Sequence, residues 1–125
     1  NGGVLLDKNS GEILSQTVFS KPIQDIPKVA GLRTVIFKDT ASSGDVVTVY
    51  GAGLEQTASL YCQDLTAACC DGGKFYQLSG SQLIAYNSSL EQQKIYELDD
   101  VYSDMIIMNG YAYLLGYNEV QRIQL

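Results

Sequence analysis

The residues with chemical reach in this chain are three thiols, a short run of carboxylates and a set of phenols. The thiols are Cys62, Cys69 and Cys70, and the 125-residue sequence holds no histidine. Without imidazole, Ser-His-Asp and Cys-His nucleophilic catalysis are excluded within this chain, and the commonest metal ligand is missing as well. An enzyme would have to work through carboxylates or a thiolate, and no pattern points to either. The spacing of the cysteines does not match a zinc finger, and no cofactor is called for.

The thiols read more naturally as structure. If residues 61–64 and 68–71 are the arms of a hairpin turning through Asp64-Leu65-Thr66-Ala67, Cys62 falls opposite Cys69. The Cβ separation in such a pair is about 4.5 Å, compatible with a disulfide. A vicinal Cys69-Cys70 bridge and three reduced, partly buried thiols are the alternatives. A disulfide would place the chain outside the cytosol, periplasmic or secreted.

The carboxylates Asp99, Asp100 and Asp104 sit in Asp-Asp-Val-Tyr-Ser-Asp. Three oxygens there could surround a calcium ion, although the EF-hand spacing and its closing Glu are absent. A solvated acidic loop between two strands is the simpler expectation. The nine tyrosines outnumber three phenylalanines, and Tyr suits surfaces that are half buried or in contact with a partner. Tyr102, Tyr111, Tyr113 and Tyr117 lie close together, and a period of two places Tyr111, Tyr113 and Leu115 on one sheet face. That face is either a ladder holding the sheet or a binding platform. Gly51-Ala52-Gly53 has neither a helix start nor a Lys-Ser/Thr after it, so it is a turn and not a phosphate loop. Asn87-Ser88-Ser89 fits the glycosylation pattern.

The elements that must position these groups are short strands. Runs such as Val4-Leu5-Leu6, Thr34-Val35-Ile36-Phe37, Val46-Val47-Thr48-Val49-Tyr50, Lys74-Phe75-Tyr76-Gln77-Leu78 and Tyr111-Ala112-Tyr113-Leu114-Leu115 carry the β-branched and aromatic residues of strands, and there are roughly ten. Asn109-Gly110 accepts the positive φ angles of a two-residue hairpin between two apolar runs. Asp7-Lys8-Asn9-Ser10-Gly11-Glu12 resembles a type I turn closed by a Gly bulge. Residues 88–93 are either a turn or two of helix or a hairpin loop. Residues 15–32 carry Pro22 and Pro27, which remove two ladder donors, so this stretch is an extended connection or an edge strand.

Hydrophobic residues are 46% and charged residues 18% of the chain, with a net charge of -6. That balance is too apolar for a disordered tail, and no apolar run reaches the roughly 20 residues of a membrane-spanning helix. The acidic balance argues against nucleic acid, whose phosphates need clustered Lys and Arg. One domain over 1–125 is expected from the length. Asn1 follows no initiator Met or leader and is expected to mark a processed or cut start.

A loose internal repeat is visible. Leu83-Ile84-Ala85-Tyr86-Asn87 returns as Leu114-Leu115-Gly116-Tyr117-Asn118, 31 residues later. Each copy follows a Gly-containing turn and precedes a further strand, and repeats of this length signal solenoids, propellers or arrays. From Thr34 to Leu125 the pattern resembles the blades of β-propellers, particularly those related to TolB and quinoprotein repeats. The resemblance implies an all-β chain of antiparallel short strands forming a partial propeller, with a β-sandwich or barrel as the alternative. The chain lacks Trp and the signature of WD repeats, and it has about three blade-sized units where a closed propeller needs about four or more.

The expected function is therefore a non-enzymatic protein-interaction or structural module within a larger extracytoplasmic assembly, its partner a protein or the remainder of a larger propeller. The alternative is a domain binding a small ligand, carbohydrate or calcium, at the acidic loop and its neighbouring tyrosines.

Overall fold

Tight turns divide the chain into strands before any long-range contact acts. Gly72 and Gly73 take φ of 56° and 76°, and Asn109 and Gly110 take 53° and 78°. These are the left-handed angles of a two-residue hairpin, which Asn and Gly tolerate. At the first turn, Asp7 Oδ1 accepts the N–H groups of Asn9 and Ser10, both at 2.8 Å. Gly11 follows at φ 74°, as expected of a turn closed by a bulge. Residues 88–91 form a hairpin loop without helix, and 92–93 open the next strand: Asn87 Oδ1 accepts the N–H of Ser89 and of Glu91.

The computed structural model describes residues 2–27, 32–39 and 41–125. Its strands are β1 (Gly2–Leu6), β2 (Ile13–Val18), β3 (Ile23–Asp25), β4 (Arg33–Lys38), β5 (Asp45–Tyr50), β6 (Gln56–Cys62) and β7 (Ala67–Asp71). They continue as β8 (Lys74–Ser79), β9 (Gln82–Tyr86), β10 (Gln92–Glu97), β11 (Asp104–Met108), β12 (Tyr111–Leu115) and β13 (Val120–Gln124). Four antiparallel sheets result, in chain order β1-β2, β3-β4-β5-β6, β7-β8-β9-β10 and β11-β12-β13. The architecture is all-β with open meanders. No sheet closes into a barrel, and the described residues do not form a propeller.

Residues 15–32 divide into the end of β2, fully paired with β1, and the three-residue edge strand β3. Pro22 stands beside that edge, where a missing N–H costs nothing and its carbonyl accepts the Lys38 N–H at 2.9 Å. Residues 28–31 of this stretch lie outside the described residues.

The sheets pack on one another in chain order. One core joins the second sheet to the third through Ile36, Val47, Val49, Cys70, Phe75 and Tyr86. The other joins the third to the fourth through Tyr76, Leu78, Leu83, Met105, Ala112 and Leu114. Alternation along β8 decides which core each residue enters: Phe75 and Gln77 face the second sheet, Tyr76 and Leu78 the fourth. The first sheet covers the second more loosely, with the Phe19 ring edge-on to Phe37 at 5.0 Å and Ser15 donating to the Gly53 carbonyl at 2.8 Å.

A spatial repeat links the third and fourth sheets, with a spacing unlike the 31 residues read from the sequence. β7 begins at Ala67 and β11 at Asp104, 37 residues on. Adding 37 to every β7–β8 pair reproduces the β11–β12 register from Asp71↔Lys74, which becomes Met108↔Tyr111, to Ala67↔Leu78, which becomes Asp104↔Leu115. The β8–β9 pairs map in the same way onto β12–β13. The 31-residue match fails because it aligns the third strand of one sheet, β9, with the second strand of the next, β12. What recurs there is only a strand end running into a turn.

Leu78 and Leu115 are equivalent under this repeat, yet Leu78 is fully buried and Leu115 is 48% exposed. Leu78→Ala is therefore expected to cost about 2–5 kcal/mol, and Leu115→Ala about 1 kcal/mol or less. Urea unfolding of the two variants checks the difference, and equal losses would contradict the assignment of faces.

Candidate functional site

The thiols belong to the two cores. Cys62 and Cys70 lie in the core between the second and third sheets, and Cys69 packs on the opposite face of the third sheet. All three are free. The expected hairpin across residues 61–71 does not form, because the chain leaves β6 at the edge of one sheet and enters β7 at the edge of the next. A Cys62–Cys69 disulfide is thus ruled out by a sheet lying between the two side chains, and Cys69 and Cys70 point to opposite faces of one strand. The Cys69 thiol instead lies 3.8 Å from the Cys70 carbonyl oxygen.

Around Cys62 is a small polar cluster inside the core. The buried Gln77 Oε1 accepts the Tyr86 hydroxyl at 2.9 Å and the Cys62 thiol at 3.6 Å. Thr34 Oγ1 and the Cys70 thiol are 3.5 Å apart. Asp45 pairs with Cys62 across β5 and β6. Its Oδ1 is buried with no hydrogen-bond partner among the described residues, and the nearest cation is Lys38 Nζ at 3.9 Å. Burial first, and then the Asp45 carboxylate, push the Cys62 thiol up to about 11. Burial also raises Cys70, against the opposing hydrogen bond from Thr34. A thiol held protonated is a poor nucleophile, and the contacts of this cluster contribute to packing and register.

The acidic loop is solvated. Asp99, Asp100 and Asp104 are exposed. Asp100 Oδ1 accepts the Val101 N–H and Asp104 Oδ1 the Met105 N–H, each at 2.8 Å. Two of the three carboxylates thus serve their own backbone, and the described residues hold no cluster of three acidic, Cys or His side chains positioned for a metal ion.

The four tyrosines separate into three environments. Tyr102 is 2% exposed and sits in the core between the third and fourth sheets, its hydroxyl donating to Gln121 Oε1. Burial and the neighbouring Glu119 carboxylate raise its phenol above the ordinary value. Tyr117 is wholly exposed at the β12–β13 turn. Tyr111 and Tyr113 stand half-buried on the outward face of the fourth sheet.

That outward face is the most distinctive surface in the molecule. The pairings Ile106↔Tyr113 and Met108↔Tyr111, with Leu115↔Val120, place six large apolar or aromatic side chains side by side. Ile106, Met108, Leu115 and Val120 are between 48% and 64% exposed. The Arg122 guanidinium lies over the Tyr111 ring at 4.9 Å, a cation–π contact worth about 0.5–1 kcal/mol at an exposed site. Period two in β12 already located Tyr111, Tyr113 and Leu115. Ile106 and Met108 escaped notice because they fall in the unbroken apolar run Met105-Ile106-Ile107-Met108, where only the register tells inward from outward.

A second feature had no sequence signal. Between the first and second sheets lies an apolar groove of about 530 Å³, lined by residues that include Leu5, Phe19, Ile23, Ile26, Leu32 and Tyr50. Beside it a more polar groove of about 510 Å³ includes Lys21 and Glu55. They exist because the two-stranded first sheet does not cover the whole of its neighbour.

No protein-family model matches the chain, and no curated protein sequence matches it.

Three thiols are expected to react with Ellman's reagent in denaturant without prior reduction, and fewer than three would mean a bridge. In the native protein at pH 8, Cys62 and Cys70 should resist, because burial keeps them protonated. The sign of the pH effect follows: the folded Cys62 value lies above the ordinary thiol value of 9.0, so nothing is lost below that pH. Between pH 9 and 11 the unfolded chain ionises first and stability falls. Thermal midpoints across that range should fall less steeply in Cys62→Ala than in the parent.

Proposed function

We propose that this chain is a non-enzymatic protein-interaction or structural module, its sheets acting as propeller-blade-like units within a larger extracytoplasmic assembly. The observation that carries the reading is the outward face of β11–β13. Its Tyr113, Leu115 and Val120 occupy, 37 residues on, the positions of Tyr76, Leu78 and Leu83, which the next sheet buries. A contiguous apolar sheet face left open is the usual mark of an interaction surface. Consecutive meander sheets stacked face to face, with β7 and β11 packed side by side, support the comparison with blades. The lack of histidine and the raised thiols support a non-enzymatic role. The extracytoplasmic address gains no weight from the thiols, whose disulfide was its one hint in the sequence and does not form.

Mass measurement under native conditions tests the reading. Protein isolated without denaturant should be heavier than one chain, and Ile106→Lys with Val120→Lys should dissolve that assembly. A compact single chain that co-purifies with no protein overturns it.

A second reading, a small-ligand-binding domain, is favoured by the apolar groove between the first two sheets. Its volume falls in the range of ligand sites, about 300–1,000 Å³, and Phe19 and Tyr50 offer ring faces on which a sugar could stack. In this reading the ligand is a carbohydrate held there, and calcium at Asp99, Asp100 and Asp104 plays no part. A rise in thermal midpoint with one member of a glycan panel, abolished by Phe19→Ala, is the expected outcome; a flat panel removes the idea.

A further inference from the structure

The stack of sheets has a direction. Each internal junction sets the forward face of one sheet, the side toward the next sheet in the chain, against the rear face of its successor. Tyr76, Leu78 and Leu83 of the third sheet's forward face thus meet Met105, Ala112 and Leu114 of the fourth sheet's rear face. Among the described sheets, one forward face and one rear face are left uncovered. The forward face is that of β11–β13. The rear face is that of β1–β2, where Val4, Leu6, Ile13 and Val18 are 53–87% exposed; Val4 and Val18 also border the grooves toward the second sheet. The opposite side of β1–β2 looks toward the second sheet, as the Ser15 hydrogen bond to Gly53 shows.

We propose that a second copy of this chain docks the rear face of its β1–β2 hairpin on the forward face of β11–β13, continuing the stack head to tail. This deepens the interaction reading above and rests on it.

The internal junctions argue for that occupant. Forward faces of the second and third sheets are covered by sheets of this same chain, and the fourth repeats the third in register at the same spacing. Apolar side chains would meet across the contact, Tyr111, Tyr113 and Met108 on the forward face and Val4, Val18 and the Leu6–Ile13 pair on the hairpin's rear face. The forward face carries one charge of each sign, Arg122 beside Tyr113 and Asp104 beside Leu115. The hairpin's rear face offers no cation, and its Gln16 amide oxygen can accept from the guanidinium. An interface between two different faces closes into a ring or extends as a filament, according to the rotation between copies.

Light scattering after size exclusion should find mass rising with concentration in the parent chain. Ile106→Lys with Val120→Lys blocks one face, and Val4→Lys with Val18→Lys blocks the other. Each variant alone should be a monomer, and an equimolar mixture should form a dimer that grows no further, since each dimer keeps only blocked faces. Circular dichroism confirms that both remain folded. Iodination of the parent gives a readout independent of the variants: Tyr111 and Tyr113 should become protected as concentration rises, and Tyr117 should stay reactive. Undiminished association of the Val4, Val18 variant overturns the head-to-tail arrangement and points to two forward faces. Assembly only with a foreign protein also overturns it while leaving the interaction reading standing. A parent chain that is monomeric at every concentration and co-purifies with nothing overturns both.

Discussion

Burying both faces of the β7–β10 sheet requires its inner strands to be water-averse at odd and even positions alike, and the rest of the chain is arranged around that requirement. In β8, Phe75, Tyr76, Gln77 and Leu78 are all 5% exposed or less. An antiparallel sheet with one wet face would alternate apolar and polar residues; this one cannot. Its two cores then act as templates, each specifying the inner face of a neighbour, so the second and fourth sheets need only one apolar side apiece. The fourth sheet has a second apolar side nonetheless. Nothing in the packing of the described residues accounts for it.

Gln77 shows how the register of the central sheet is held. Its amide is buried in the core beside Cys62, where an unpaired polar group costs about 1–3 kcal/mol. The Tyr86 hydroxyl and the Cys62 thiol supply the partners. A slip of one residue along β8 would carry Gln77 to the opposite core, which is lined by Leu83, Ala112 and Leu114, and would leave Tyr86 and Cys62 without their acceptor. The polar contact therefore contributes more to uniqueness of pairing than to net stability. Asp45 is the less settled member of this neighbourhood, since its buried Oδ1 has only a distant Lys38 to offset its desolvation.

Much of this was legible in the residues because strand and turn signals are local. Asn109-Gly110 and the runs of Val, Ile and Tyr located most of the strands, and the proline-bearing stretch read as a connection or edge strand contains the edge strand β3. Long-range pairing was legible only where a turn of two residues dictates it. β7 was misassigned because Ala67-Ala68-Cys69-Cys70 has weak strand propensity and lies close enough to β6 to suggest a hairpin, whereas the chain in fact crosses to a new sheet there. Tyr102 was grouped with Tyr111, Tyr113 and Tyr117 because one-dimensional proximity says nothing about depth; it lies in the core between the third and fourth sheets. The 37-residue repeat was invisible for a related reason. It preserves register and facing but hardly any residue identities: Cys69 becomes Ile106, and Lys74 becomes Tyr111.

The edges and faces of this stack are defended unequally, and at the β11–β13 end that asymmetry favours association by stacking over strand addition. β3 is three residues long with prolines on either side, β10 carries Lys94 and Glu97, and β13 carries Arg122. Short strands, prolines and charges are the usual means of blunting a sheet edge against another chain. The forward face of β11–β13 carries only Arg122, whose guanidinium rests on the Tyr111 ring, and Asp104 opposite Leu115. At the β11–β13 end a guarded β13 edge stands beside an open side-chain face, whereas β1, β2 and β6 are edge strands with neither proline nor charge. The same preference already governs the interior, in which successive sheets share side-chain cores and no continuous ladder runs from one to the next.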